Sequence, residues 1–223
     1  MKTLFYISIN IAIFLFAASA QPIRFGFNAG VTSSFMNSKY QGLKEETDGT
    51  QKFGITAGIM ADIKLTRSLC LTPSLNFTQK GAVYRYENAG IARGERTLNY
   101  TELLLNVLYG VPAGNGRFSI GLGTVISFGM SGKYKDEMNY GSSSSGKRTG
   151  DVKFGTGPED EYKPLDFGGN IMTAYEFSSG ITLALNYYMG LNNLAVNDFG
   201  GNTVKNRYLG VRVGYFLSRL HKK

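Results

Sequence analysis

Apolar residues alternate with polar or small ones along most of this chain, in eight segments whose linkers are by turns long and very short. Lys52 to Leu65 shows the pattern most cleanly. Phe53, Ile55, Ala57, Ile59, Ala61, Ile63 and Leu65 share one parity; Lys52, Gly54, Thr56, Gly58, Met60, Asp62 and Lys64 share the other. A strand sends successive side chains to opposite faces, so the segment has one apolar face and one polar, glycine-rich face. Eight such segments in succession describe an all-β fold, an eight-stranded antiparallel up-and-down transmembrane β-barrel.

The first twenty residues stand apart. Lys2 gives a positive start, Leu4 to Phe16 is apolar except for Ser8 and Asn10, and Ala18-Ser19-Ala20 is a small-x-small cleavage pattern. Residues 1–20 therefore read as a cleaved signal peptide, with the mature chain starting at Gln21. As a helix the run is too short for a hydrocarbon layer roughly 30 Å thick. No later stretch is apolar enough for a membrane helix, and residues 21–223 read as a single barrel domain. Insertion into lipid would then require a closed sheet, because lipid offers no partners to open backbone edges. The 29 glycines, 14 tyrosines and 15 phenylalanines, with no tryptophan, suit a glycine-rich sheet carrying aromatic girdles.

The expected strands are Ile23–Met36, Lys52–Leu65, Leu69–Tyr84, Thr97–Val111, Phe118–Tyr134, Leu165–Phe177, Ile181–Leu191 and a last one carrying Leu209, Val211, Val213, Tyr215 and Leu217. Tight turns at Thr66-Arg67-Ser68, Pro112 to Gly116 and Ser178-Ser179-Gly180 alternate with long linkers at Asn37–Gln51, Arg85–Arg96, Lys135–Lys163 and the loop through Asn206. That alternation suits a barrel with termini and short turns in the periplasm and long loops outside. Pro73 lies on the apolar parity of the third strand, where its missing N–H predicts a bulge or weak spot.

Alternation alone does not say which face is inside. A soluble, lipocalin-type ligand carrier would turn the apolar face inward. The polar face decides for the membrane: it holds Gly, Ser, Asn and Thr with scattered charges, small enough to fill a narrow lumen. Phe53, Ile55, Ile59, Ile63, Leu105, Val107, Phe128, Leu183, Leu185, Val211 and Val213 are accordingly assigned to lipid. On the inward parity, Arg24, Asp62, Lys64, Glu176 and Arg212 gather towards the periplasmic half of the lumen. Lys80, Glu102, Lys133 and Asp166 gather towards the outer half. Buried charges persist when paired and hydrogen-bonded, so these nine are expected to form ion-pair networks that plug the barrel. The alternative is a narrow, gated, porin-like channel for small solutes.

Several chemistries are disfavoured. Cys70 is the only cysteine, which excludes an intramolecular disulfide. His221, the only histidine, lies in the C-terminal tail, so a hydrolytic triad has no base. Gly141 to Arg148 approaches a phosphate-binding loop, but Arg148 stands where a Ser or Thr should bind magnesium. Asp160, Glu161 and Asp198 lack calcium-loop spacing. No enzyme activity, cofactor or metal is implied. The charge of +8 is scattered over loops and strand ends without a basic helix; this fits anionic lipid head groups rather than nucleic acid.

Leu98-Asn99-Tyr100-Thr101-Glu102-Leu103-Leu104-Leu105-Asn106 resembles the Y-L-E-I-P-L-L-L-K strand of the PorT-like outer-membrane β-barrel family, with Leu104 and Asn106 in place of Pro and Lys. Phe118 to Gly123, Leu165-Asp166-Phe167-Gly168 and Tyr187 to Leu191 resemble further strands of that family, in order. The resemblance implies a bacterial outer-membrane barrel of mostly unassigned function, one branch of which belongs to a protein-secretion and gliding apparatus. The expected role is a monomeric surface barrel. Outer-membrane lipid surrounds it, and a protein or polysaccharide partner meets the long loops, particularly Lys135–Lys163 with Tyr134, Tyr140 and Tyr162. The alternative is an accessory of an outer-membrane secretion complex.

Overall fold

The computed structural model describes residues 23–39, 47–48, 50–85, 91–139, 145–196 and 202–217. Within them lie ten strands in one sheet: β1 (Ile23–Lys39), β2 (Thr47–Asp48), β3 (Lys52–Lys64), β4 (Leu69–Arg85), β5 (Ile91–Ala113), β6 (Gly116–Asn139), β7 (Ser145–Val152), β8 (Leu165–Phe177), β9 (Ile181–Gly190) and β10 (Thr203–Phe216). β2 is a two-residue addition to the end of β1, and β7 pairs only with the outer part of β6. The other eight pair antiparallel with their sequence neighbours. β10 closes on β1 from Gly26 opposite Phe216 to Lys39 opposite Thr203. The fold is an antiparallel up-and-down barrel without a free edge among those eight strands.

Short connections mark one end, taken as the inner end. The turn Gly114-Asn115 joins β5 to β6, and Gly114 has φ +55°, a conformation open to glycine at no steric cost. The opposite, outer end carries longer strands than the sequence pattern suggested. β5 begins at Ile91 instead of Thr97, β6 runs to Asn139, β10 starts at Thr203, and the Lys135–Lys163 linker contains β7. These extensions alternate poorly because both of their faces meet water or loops, so no lipid-facing parity selects apolar residues.

All eleven residues assigned to lipid lie on the outward parity. Ten are exposed, from Phe53 at 73% to Leu105 at 36%, while Ile63 near the inner rim is half-buried. Pro73 produces no bulge: β4 keeps register with β5, and the β3–β4 ladder is merely interrupted between Met60/Ser74 and Ile63/Leu71. The bulge lies elsewhere. Asn99 pairs with Ser131 and Tyr100 with Gly129, leaving Met130 as an extra residue in β6. One extra residue swaps the faces of all that follow. The expected signal peptide, Tyr140, Asp198 and the tail from Ser218 lie outside the described residues.

Candidate functional site

Strand parity carries Arg24, Asp62, Lys80, Glu102, Asp166, Glu176 and Arg212 into the lumen, where the wall brings distant strands together. Lys80 of β4 is wholly buried and central to the outer half. Its ammonium lies 2.7 Å from Glu102 Oε1 (β5), 2.9 Å from Asp166 Oδ2 (β8) and 3.1 Å from Ser127 Oγ (β6), so three donors have three acceptors. The carboxylates are completed by further donors. Ser127 donates to Glu102 Oε1 at 2.9 Å and Tyr208 to Oε2 at 3.0 Å; Tyr188 donates to Asp166 Oδ1 at 2.5 Å and Asn206 to Oδ2 at 2.9 Å. The rings of Tyr188, Tyr100 and Tyr208 surround the ammonium, with centroids at 4.2, 4.7 and 5.4 Å. Such faces attract a cation, more strongly when it is desolvated. Leu104 and Val125 pack with Tyr188 and Tyr208 at the same level, which explains the inward leucine of β5.

A second cluster lies at the inner end. Arg24 (β1) pairs with Asp62 (β3) and, at 2.5 and 2.9 Å, with both oxygens of Glu176 (β8), while its guanidinium stands 4.4 Å from the centre of the Phe216 ring. Between the two clusters an amide chain crosses the lumen: Asn186 donates to Asn170 at 3.1 Å, and Asn170 to Asn106 at 2.7 Å.

The nine charges of the expected network thus divide. Lys80, Glu102 and Asp166 meet; Arg24, Asp62 and Glu176 meet. Arg212 is buried and donates to the Tyr208 hydroxyl at 3.3 Å, linking it to Glu102 through that hydroxyl, not through direct ion pairing. Lys64 sits half-buried at the inner rim opposite Cys70 and joins neither cluster. Lys133 is a correction: the Met130 bulge reverses the pleat, so Lys133 is exposed on the outer surface while Gly132 is buried. Ser131, which an unbroken alternation from Ser127 would turn inward, is exposed for the same reason. Tyr100, Tyr188 and Tyr208 lie on the inward parity and are fully buried, a lumen role that the expectation of aromatic girdles does not cover.

The outer mouth is covered by the chain between the strands. Phe154 bridges Tyr162, and Tyr162 bridges Ala195; Lys163 N donates to Leu194 O at 2.8 Å. Tyr162, Leu194 and Ala195 are buried against Met36, Ala82, Leu98, Tyr100 and Val204, with Phe154 edge-on to Tyr100 at 5.5 Å. Phe154 reaches inward because Gly129 is bare: a Cβ there would lie 2.5 Å from its ring. Of the expected loop contacts, Tyr162 is therefore spent inside this cap. Tyr134 is half-buried beneath Arg96 at 5.2 Å and Arg148 at 5.8 Å.

Outside the apolar band, the ammonium of Lys52 lies 2.6 Å from Glu95 Oε1 and holds that carboxyl below its usual range. Partial burial, with Asp136 nearby, raises Glu161 despite Arg96. Asp160 caps its own turn, accepting from Gly157 N at 2.7 Å. Among the described residues, no three of His, Cys, Asp and Glu gather to hold a metal ion.

Solved structures similar to this chain include the attachment invasion locus protein Ail of Yersinia pestis (11% identity, 87% of this chain and 98% of that one, TM-score 0.40) and Neisserial surface protein A (12%, 86% and 96%, 0.41). The N-terminal β-barrel domain of Pseudomonas aeruginosa OprF is also similar (12%, 85% and 97%, 0.30). Comparison with curated proteins gave no match. The family model for the outer membrane protein beta-barrel domain matches residues 18–196. The chain belongs to that family, and its place is the bacterial outer membrane.

Proposed function

We propose that this protein is a closed, monomeric, non-enzymatic barrel of the PorT-like branch that works at the cell surface through its outer extension. The observation that carries the closed lumen is the Lys80 cluster: six strands supply side chains to one level of the barrel, and Lys80, Glu102 and Asp166 have no solvent exposure. Ions crossing there would have to break a fully partnered ion network in a dry interior, at a cost of several kcal/mol. The cap of Phe154, Tyr162 and Leu194 adds a second barrier.

The surface role rests on charge. Lys133, Lys135, Lys147 and Arg148 are exposed on the β6–β7 hairpin, which rises beyond the apolar band. Of the acids nearest them, Arg96 holds Asp136 at 2.6 Å, Glu137 stands 3.8 Å from Lys135 and Asp151 lies across the ladder from Lys133, so the hairpin keeps an excess of positive charge. Exposed cations beside the half-buried Tyr134 ring suit an acidic polysaccharide or an acidic protein face. Planar-bilayer recording of the purified protein tests closure, with no stable conductance steps expected. Binding of fluorescent acidic polysaccharide to cells expressing the protein tests the surface role. Replacing Lys133, Lys135, Lys147 and Arg148 with Gln should abolish that binding; unchanged binding would overturn it.

A further inference from the structure

Below the amide chain Asn106–Asn170–Asn186 and above the Arg24 cluster, the inner half of the lumen contains a chamber of about 70 Å³. That is several times the space one water molecule needs. Met60, Leu108, Met172 and Ala184 give it apolar walls, and Arg212 lines it. Arg212 is 5% exposed, yet its Nε has no hydrogen-bond partner and its Nη2 has only the Tyr208 hydroxyl. Both carboxylates that line the chamber, Asp62 and Glu176, are paired with Arg24, Asp62 through Oδ2 while its Oδ1 has no hydrogen-bond partner. Arg117, at the inner rim, is turned to Ser68 O at 3.0 Å. Arg117 and Arg212 line the chamber with Asp62 and Glu176, and of the two cations Arg212 alone contacts no carboxylate or carbonyl oxygen directly; its link to Glu102 runs through the Tyr208 hydroxyl. A buried guanidinium without a direct anionic partner is costly, and an anion that reaches it recovers part of that cost.

We infer that the inner chamber is a binding site for a small aliphatic carboxylate taken up from the periplasmic side. The carboxylate head lies on the free edge of the Arg212 guanidinium, and planar two-oxygen recognition is what that side chain does best. The short apolar body lies against Met60, Leu108 and Met172. Apolar walls with one oriented charged group are the usual make-up of a small-molecule site. Asn28, also lining the chamber, has an unpartnered Oδ1 and can orient a bound water or a ligand hydroxyl. The inference is separate from the closed-barrel reading, because a ligand can enter and leave by the inner end without crossing the Lys80 level.

The test is saturation-transfer NMR and calorimetry on full-chain protein in detergent, with butyrate, butylamine and inorganic phosphate as probes and empty micelles as control. Butyrate should bind saturably, at least tenfold tighter than phosphate, while butylamine should not bind. Arg212→Gln should weaken butyrate at least tenfold. Ala184→Leu, which fills the chamber beside Arg212 without removing a charge, should do the same, and it decides the matter if the arginine variant does not fold. Lys64→Gln at the rim should leave binding within twofold. No saturable butyrate binding beyond micelles, equal binding of phosphate, or butyrate binding unchanged in Ala184→Leu would each overturn the assignment. Conductance is recorded separately, so channel steps would sink closure without touching this site.

Discussion

The two halves of the lumen are lined by the same strands and treat charge differently. In the outer half, every polar atom of Lys80, Glu102 and Asp166 has a partner, and the cluster is sealed among Tyr100, Tyr188 and Tyr208. In the inner half, Arg24 is paired but a chamber remains, and Arg212 keeps a bare Nε. Side-chain volume makes the difference. The outer level receives three buried tyrosines, whereas the chamber wall is built from small residues such as Ser74, Ser119, Ala174, Ala184 and Gly214. Eight strands leave an interior that side chains can fill, but only if enough of them are large. One barrel therefore holds a plug at one level and a cavity at another.

The largest test of this contrast is Lys80→Met. It leaves Glu102 and Asp166 facing each other without a cation in a dry site, and should cost about 3–5 kcal/mol in a urea titration followed by far-UV circular dichroism. A loss under about 1 kcal/mol would mean that water reaches the outer half after all. Arg24→Met removes the matching cation of the inner half. Its cost should be smaller, about 1–3 kcal/mol, because water in the chamber can solvate Asp62 and Glu176. Equal losses in the two variants would erase the distinction between the halves.

Tyr162→Ala separates cap from plug. Cleavage by added protease within residues 153–164 should speed up about tenfold, since opening of that segment becomes easier. Conductance in planar bilayers should stay absent; channel steps in this variant would transfer the closing role from the Lys80 level to the cap. The smallest effect concerns the rim. Lys52 holds the Glu95 carboxyl below its ordinary value, so the folded state binds that proton less readily than the unfolded chain. The pair stabilises above the unfolded glutamate value of about 4.3 and loses that contribution as pH falls through the folded value. Glu95→Gln should cost about 0.5 kcal/mol or less at pH 7 and nothing at pH 2. A cost that persists at pH 2 would assign the effect to packing.

Much of the barrel was legible because a strand has a period of two. Lys52–Lys64 shows it: lipid selects one parity and the narrow lumen the other, and both selections are written residue by residue. The same rule put Arg24, Asp62, Lys80, Glu102, Asp166, Glu176 and Arg212 inside. It failed at Lys133 because a bulge leaves no compositional mark; Met130 reads as one more apolar residue of the strand. It failed for β7 and the cap because that region meets no lipid, so nothing imposes alternation on it. The lumen tyrosines were visible in parity but hidden by the expectation that tyrosine belongs at the interface.

By itself, the order of residues settled that this chain forms strands, which faces they turn to lipid, and that a family of outer-membrane barrels contains it. Tertiary structure alone decided which charges meet. Arg24 and Glu176 are 152 positions apart and become neighbours only once β10 closes on β1 and the stagger of the strands sets their heights. Parity is a local property of the backbone, whereas height along the barrel axis is a sum over the whole ring. The first can be read along a single strand; the second exists only after closure.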